Sequence, residues 1–172
     1  LAGPMAHNEK LRKLLISWKG KDPPPQPRIP VSAALIELYT LEHPMDTEEQ
    51  TALVTSMAIG LEFCLRSKEY LMPDDNQYDP QGIHWKDVFF RSEEDNLSGE
   101  GVTAADRLTL SIVSSKNSLA RCTRTISLTS SPVSAVELLR KRYLGILAQT
   151  GRPPDPETPV FQLSSGKTVS RK

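Results

Sequence analysis

The chain has 172 residues, 38% hydrophobic and 24% charged, with 21 basic against 21 acidic side chains, an ordinary composition for a globular domain with one good core. No apolar run approaches the roughly 18 residues that span a bilayer, no basic-then-apolar leader opens the chain, and Cys64 and Cys122 lack metal-ligand spacing, so a reduced, intracellular protein is expected. Charge is uneven along the chain, with 6 basic and 2 acidic residues in 1–28, 4 and 15 in 29–100, and 11 and 4 in 101–172; a neutral chain can therefore still present basic faces at both ends.

In chain order, residues 9–18 read as a short amphipathic helix, with Leu11, Leu14, Leu15 and Trp18 on one side and Lys10, Arg12 and Lys13 opposite. The segment 21–30 holds five prolines, which remove donors and fix φ, so an extended, semi-rigid linker is expected. Three parts follow: a region 1–20, a linker 21–30 and a domain 31–172. Ser32 is placed to cap a helix to about Leu41, with Leu35, Ile36 and Leu38 to Tyr39 as its buried side. His43-Pro44 ends it. Asp46 or Thr47 caps the next helix, whose first turn holds Glu48 and Glu49. Apolar residues at 54, 57, 58, 61 and 65 keep helical spacing, and this helix is expected to run on to Arg66, with Arg66 and Glu69 sharing a face.

Residues 73–82 are turn chemistry throughout; their three acids lack the spacing and closing Glu of an EF-hand, so no metal is expected. A first strand is expected over Ile83 to Phe90 and a loop over Arg91 to Ala105. Leu108, Leu110 and Ile112 alternate with Thr109, Ser111 and Val113, and a second extended run over Arg121 to Leu128 completes an antiparallel hairpin with Lys116 near its tip. Ser131-Pro132 opens a helix over Val133 to Leu147, with Val136, Leu139, Tyr143 and Leu147 inward and Arg140, Lys141 and Arg142 outward. A proline-rich loop and a short extended piece with a turn at 165–167 follow.

The run Cys64-Leu65-Arg66-Ser67-Lys68-Glu69-Tyr70-Leu71, then Trp85-Lys86-Asp87, resembles the first catalytic box of the tyrosine recombinases, roughly Gly-Leu-Arg-x-Ser-Glu-Leu followed by Trp-x-Asp. Cys64 stands where glycine is usual and Lys68 where serine is usual. The hairpin around Lys116, the helix after it and Pro159-Val160-Phe161-Gln162-Leu163-Ser164-Ser165-Gly166 resemble the later parts of that domain. The loops around 73–82 and 91–106 look more like those of eukaryotic mobile-element members such as DIRS-type retroelement recombinases.

The resemblance implies an α+β fold, mainly helical with a small three-stranded antiparallel sheet, cut short at its C-terminal end. It also implies double-stranded DNA as partner, a homo-oligomer on that DNA, no cofactor, and a nuclear location if the source is eukaryotic. Arg66 would hold a non-bridging phosphate oxygen, Lys116 would protonate the departing 5′ oxygen, and Glu69 would orient Arg66 or its helix. Lys10, Arg12, Lys13, Lys19, Lys21 and Arg28 would touch the DNA backbone from a core-binding region and linker. The family's second arginine lies in a His-x-x-Arg box, but His7, His43 and His84 are followed at the third position by Lys10, Asp46 and Asp87. No tyrosine occurs where the nucleophile is expected, so these 172 residues alone are not expected to cut DNA.

The plain alternative for Arg66 is a helix-surface arginine paired with Glu62 or Glu69. For the whole chain it is a non-catalytic DNA-binding or protein-interaction remnant that keeps the fold. A small hydrolase fails for want of a nucleophile elbow, a metal-ligand pair or a Gly-rich phosphate loop.

Overall fold

The computed structural model describes residues 32–72, 82–93, 95–115 and 118–170. The chain divides into two units, Leu1–Pro30 and Val31–Lys172, and every described residue belongs to the second. The expected helix 9–18, the linker, the DNA-contact residues Lys10, Arg12, Lys13, Lys19, Lys21 and Arg28, most of the loop 73–82, and Lys116 lie outside the described residues.

The architecture is α+β. Helix α1 spans Ala33–Glu42, α2 spans Glu48–Glu62 and α3 spans Ala135–Thr150. Strands β1 (Val88–Ser92), β2 (Asp95–Leu97), β3 (Arg107–Ser115) and β4 (Ser118–Ser127) form one antiparallel sheet in the order β2-β1-β3-β4. The sheet has four strands rather than the expected three, because β2 arises inside the polar stretch 91–105, where Phe90 pairs with Leu97 and Ser92 with Asp95. The expected strand 83–90 is divided. The Asp87 carboxylate accepts from the His84 amide at 3.1 Å and closes a 3-10 turn over Trp85–Asp87, so β1 starts only at Val88. The residues before and at the start of that turn pair elsewhere: Val160 donates to the Ile83 carbonyl at 3.0 Å, and Trp85 donates to that of Thr158 at 3.1 Å.

Locally encoded ends form where capping chemistry places them. The Ser32 hydroxyl accepts from the Leu35 amide at 3.3 Å and the Thr47 hydroxyl from that of Gln50 at 3.2 Å, satisfying amides that have no partner within their helices. Helix α3 starts at Ala135, after a turn in which Ser134 donates to the Ser131 carbonyl, and stops where Gly151 takes φ 70°.

One hydrophobic cluster joins helices and sheet through Ile36, Val54, Ile59, Leu108, Leu110, Ile112, Val136, Leu139, Val160 and Phe161. On β3, Leu108, Leu110 and Ile112 supply its core face, as their alternation predicts. Two expectations fail at the burial level. Only Ile36 of α1 is buried, while Leu35, Leu38 and Leu41 are 43%, 53% and 79% exposed; apolar residues circle this helix, and a single stripe meets the core. Arg142, expected outside, is 8% exposed. It follows Leu138 and Leu139 at i+4 and i+3 and so shares their inward stripe.

Candidate functional site

The residues of the box Cys64 to Leu71 lie beyond α2, not on it. The helix ends in a Schellman arrangement: the Cys64 amide donates to the Leu61 carbonyl at 3.1 Å and the Leu65 amide to that of Gly60 at 2.9 Å. This geometry needs a left-handed residue between the two donors, and Cys64 takes it with φ 53°. Such a conformation favours glycine because a Cβ crowds the following carbonyl. The position therefore favours glycine over the cysteine present.

Arg66 follows in extended conformation, φ −79° and ψ 146°, at the start of a 3-10 turn over Ser67–Glu69. Glu69 fixes it twice: its carboxylate accepts from the Arg66 amide at 2.9 Å, and its own amide donates to the Arg66 carbonyl at 2.8 Å. The Glu69 carboxylate thus holds backbone. The other candidate acid, Glu62, accepts from the Ala135 amide at 3.0 Å, at the N-terminal end of α3. Burial raises the Glu62 carboxyl above its usual value, and the Ala135 amide offsets only part of that. The Arg66 guanidinium is exposed and makes no hydrogen bond or ion pair with another described residue.

The end of α2 is braced from two sides. The Tyr70 ring crosses Gly60, where a Cβ would lie 2.5 Å from the phenol oxygen. Burial holds the Tyr70 phenol above its usual pKa. From the sheet, Arg124 of β4 donates to the Phe63 carbonyl at 2.7 Å. Arg124 stands opposite Leu110 in the β3–β4 ladder, so it emerges on the core-facing side of the edge strand and reaches the end of α2. Beside the turn, Met57, Gly60, Leu61, Cys64, Leu65 and Tyr70 line an almost wholly apolar cleft of about 380 Å³.

On the opposite face of β4, Arg121 pairs with the buried Asp87. His84, with no exposed surface, lies 3.8 Å from the same carboxylate. Burial lowers its pKa, so it is neutral at pH 7 and belongs to packing, as its place beside Trp85 suggests. Among the described residues no group of three or more His, Cys, Asp or Glu side chains is arranged to hold a metal ion, and no helix is long and apolar enough to cross a membrane.

The structure thus brings Arg66 and Glu69 onto one turn and ties the end of α2, three residues before Arg66, to β4 through Arg124; Lys116 lies outside the described residues. Arg124 is the residue that sequence reasoning missed. An arginine in a strand rich in threonine carries no mark of its partner, and only the register with Leu110 shows which way it points. No protein-family model, curated protein or solved structure matches the chain.

Proposed function

We propose that this protein binds the phosphate backbone of double-stranded DNA through Arg66, as part of a strand-transfer domain of the tyrosine-recombinase type. The observation that carries the reading is the presentation of Arg66. Its backbone is clamped by Glu69, the helix before it ends in a left-handed residue where the box has glycine, and its guanidinium makes no hydrogen bond or ion pair with another described residue. An exposed guanidinium on a fixed backbone can reach a phosphate and contact it bidentately. In this reading Lys116 acts as proton donor to the 5′ oxygen. The second arginine and the tyrosine nucleophile are not recognisable among these 172 residues, so the proposed activity of the chain itself is binding.

A direct test is fluorescence anisotropy of a labelled duplex over a salt series. The expected result is an affinity that falls steeply with salt, and for Arg66→Ala a slope of log K against log salt shallower by about 1. Equal slopes for the two proteins would remove Arg66 from the interface. A second reading, a protein-interaction module, is favoured by the apolar cleft beside Cys64 and by the acidic excess of residues 29–100. It gains if no DNA is bound even at low salt.

A further inference from the structure

The C-terminal end of α2 lacks the usual electrostatic partner. A helix ends in unpaired carbonyls and a partial negative charge, yet the last turn of α2 has no basic residue and instead contains Glu62. The Schellman bonds occupy the Gly60 and Leu61 carbonyls, and Phe63 itself donates to that of Ile59. The Phe63 carbonyl, at the point where the chain turns left-handed, is taken by a cation from another element, Arg124 at 2.7 Å. Arg66 follows three residues later.

We infer that Arg124 is the positioning residue of Arg66: by donating from β4 to the Phe63 carbonyl it locks the left-handed turn at Cys64, and so joins the hairpin and the arginine-bearing turn into one rigid unit. This rests on the reading of Arg66 as the phosphate-binding group. A guanidinium suits the task because several donors in a fixed plane can hold one carbonyl while complementing the helix end. A non-glycine residue at φ 53° persists only where its surroundings over-determine it, and Arg124 is the part of those surroundings contributed by the sheet. The hairpin and the arginine then move together or not at all.

The test uses the full chain with Arg124→Met, Arg124→Lys, Arg66→Ala and the Arg66→Ala/Arg124→Met double variant. Backbone amide correlation spectra read the turn without DNA. The Met variant is expected to shift or broaden the amides of residues 63–69 while the rest of the spectrum holds, and the Lys variant, which keeps a donor, to restore them. Duplex binding reads the consequence. Arg124→Met is expected to weaken binding by about tenfold, the scale of one lost hydrogen bond to a charged group, and the double variant to bind no worse than Arg66→Ala.

Unchanged amides in the Met variant would overturn the inference. So would additive losses with a further drop in salt slope, which would make Arg124 a phosphate contact in its own right. A Met variant that no longer melts cooperatively would overturn it too, assigning Arg124 to global stability. If the wild-type chain binds no DNA, the reading of Arg66 fails, and the amide spectra still decide whether Arg124 sets the turn.

Discussion

Cys64 occupies a backbone conformation that its side chain opposes, which makes it the most informative single position. Replacing it with glycine relieves crowding of about 1 kcal/mol or slightly more, partly offset by the greater freedom that glycine has in the unfolded chain. Cys64→Gly should therefore be stabilising by up to about 1 kcal/mol, raising the melting temperature by about 2–4 °C for a chain of this size, as a thermal melt would show. Gly60 reverses the usual sign. Alanine is the better helix former by about 1 kcal/mol, but its Cβ would meet the Tyr70 phenol oxygen at 2.5 Å, and overpacking costs roughly 1–3 kcal/mol. Gly60→Ala should melt lower than the parent and disturb the near-ultraviolet signal of Tyr70. The box residues are legible in the sequence, but their conformation is not. With cysteine in place of glycine there is no stop signal, apolar periodicity runs through Leu65, and the helix reads four residues too long.

Elements whose ends are set by neighbouring residues, α1 and α2 by Ser32 and Thr47, are readable in advance, because the hydroxyl and the amide it caps lie three residues apart. The β3–β4 hairpin is readable for the same reason, since alternation is local, but its strands run on to Ser115 and from Ser118, where the polar composition reads as turn. What escapes is pairing over distance. Strand β2 exists because β1 offers it an edge, and residues 83–86 are held by residues 156–160, which no local window reports. Helix α3 shows the cost of reading charge as exposure. Arg142 donates to the Val160 carbonyl at 2.8 Å and also to that of Gln162. Its buried charge lies 3.8 Å from Glu48, and burial lowers its pKa. Arg142→Met should cost about 2–4 kcal/mol by removing the donor from one buried and one part-buried carbonyl, seen as a lower urea midpoint with little change in slope. The same change at the exposed Lys141 should cost less than about 0.5 kcal/mol.

At the scale of the molecule, α2, α3 and the C-terminal segment meet at Glu48. Its carboxylate accepts from the Ser164 hydroxyl at 2.6 Å and from the Ser164 amide at 2.9 Å. Burial pushes its pKa up, but those hydrogen bonds and the nearby Arg142 outweigh burial, so it lies below the usual carboxylate value of 4.5. A depressed folded pKa stabilises the protein above the unfolded value, and that stability is lost as pH falls through the folded value. The gap in melting temperature between wild type and Glu48→Gln should therefore close as pH drops below about 4.5. Glu62, raised by burial, has the opposite sign: it disfavours folding increasingly as pH rises from the unfolded value through the folded one. Glu62→Gln should thus gain on wild type over that rise, which melts at a series of pH values would resolve.

The deep placement of Val160 and Phe161 in the shared core bears on how the protein is made. Both leave the ribosome after every helix and strand described above, so the nascent domain waits with an open core until they emerge. The vulnerable interval for aggregation or capture by chaperones lasts until Val160 and Phe161 emerge, and slowing translation of the preceding helices and strands should do little to shorten it.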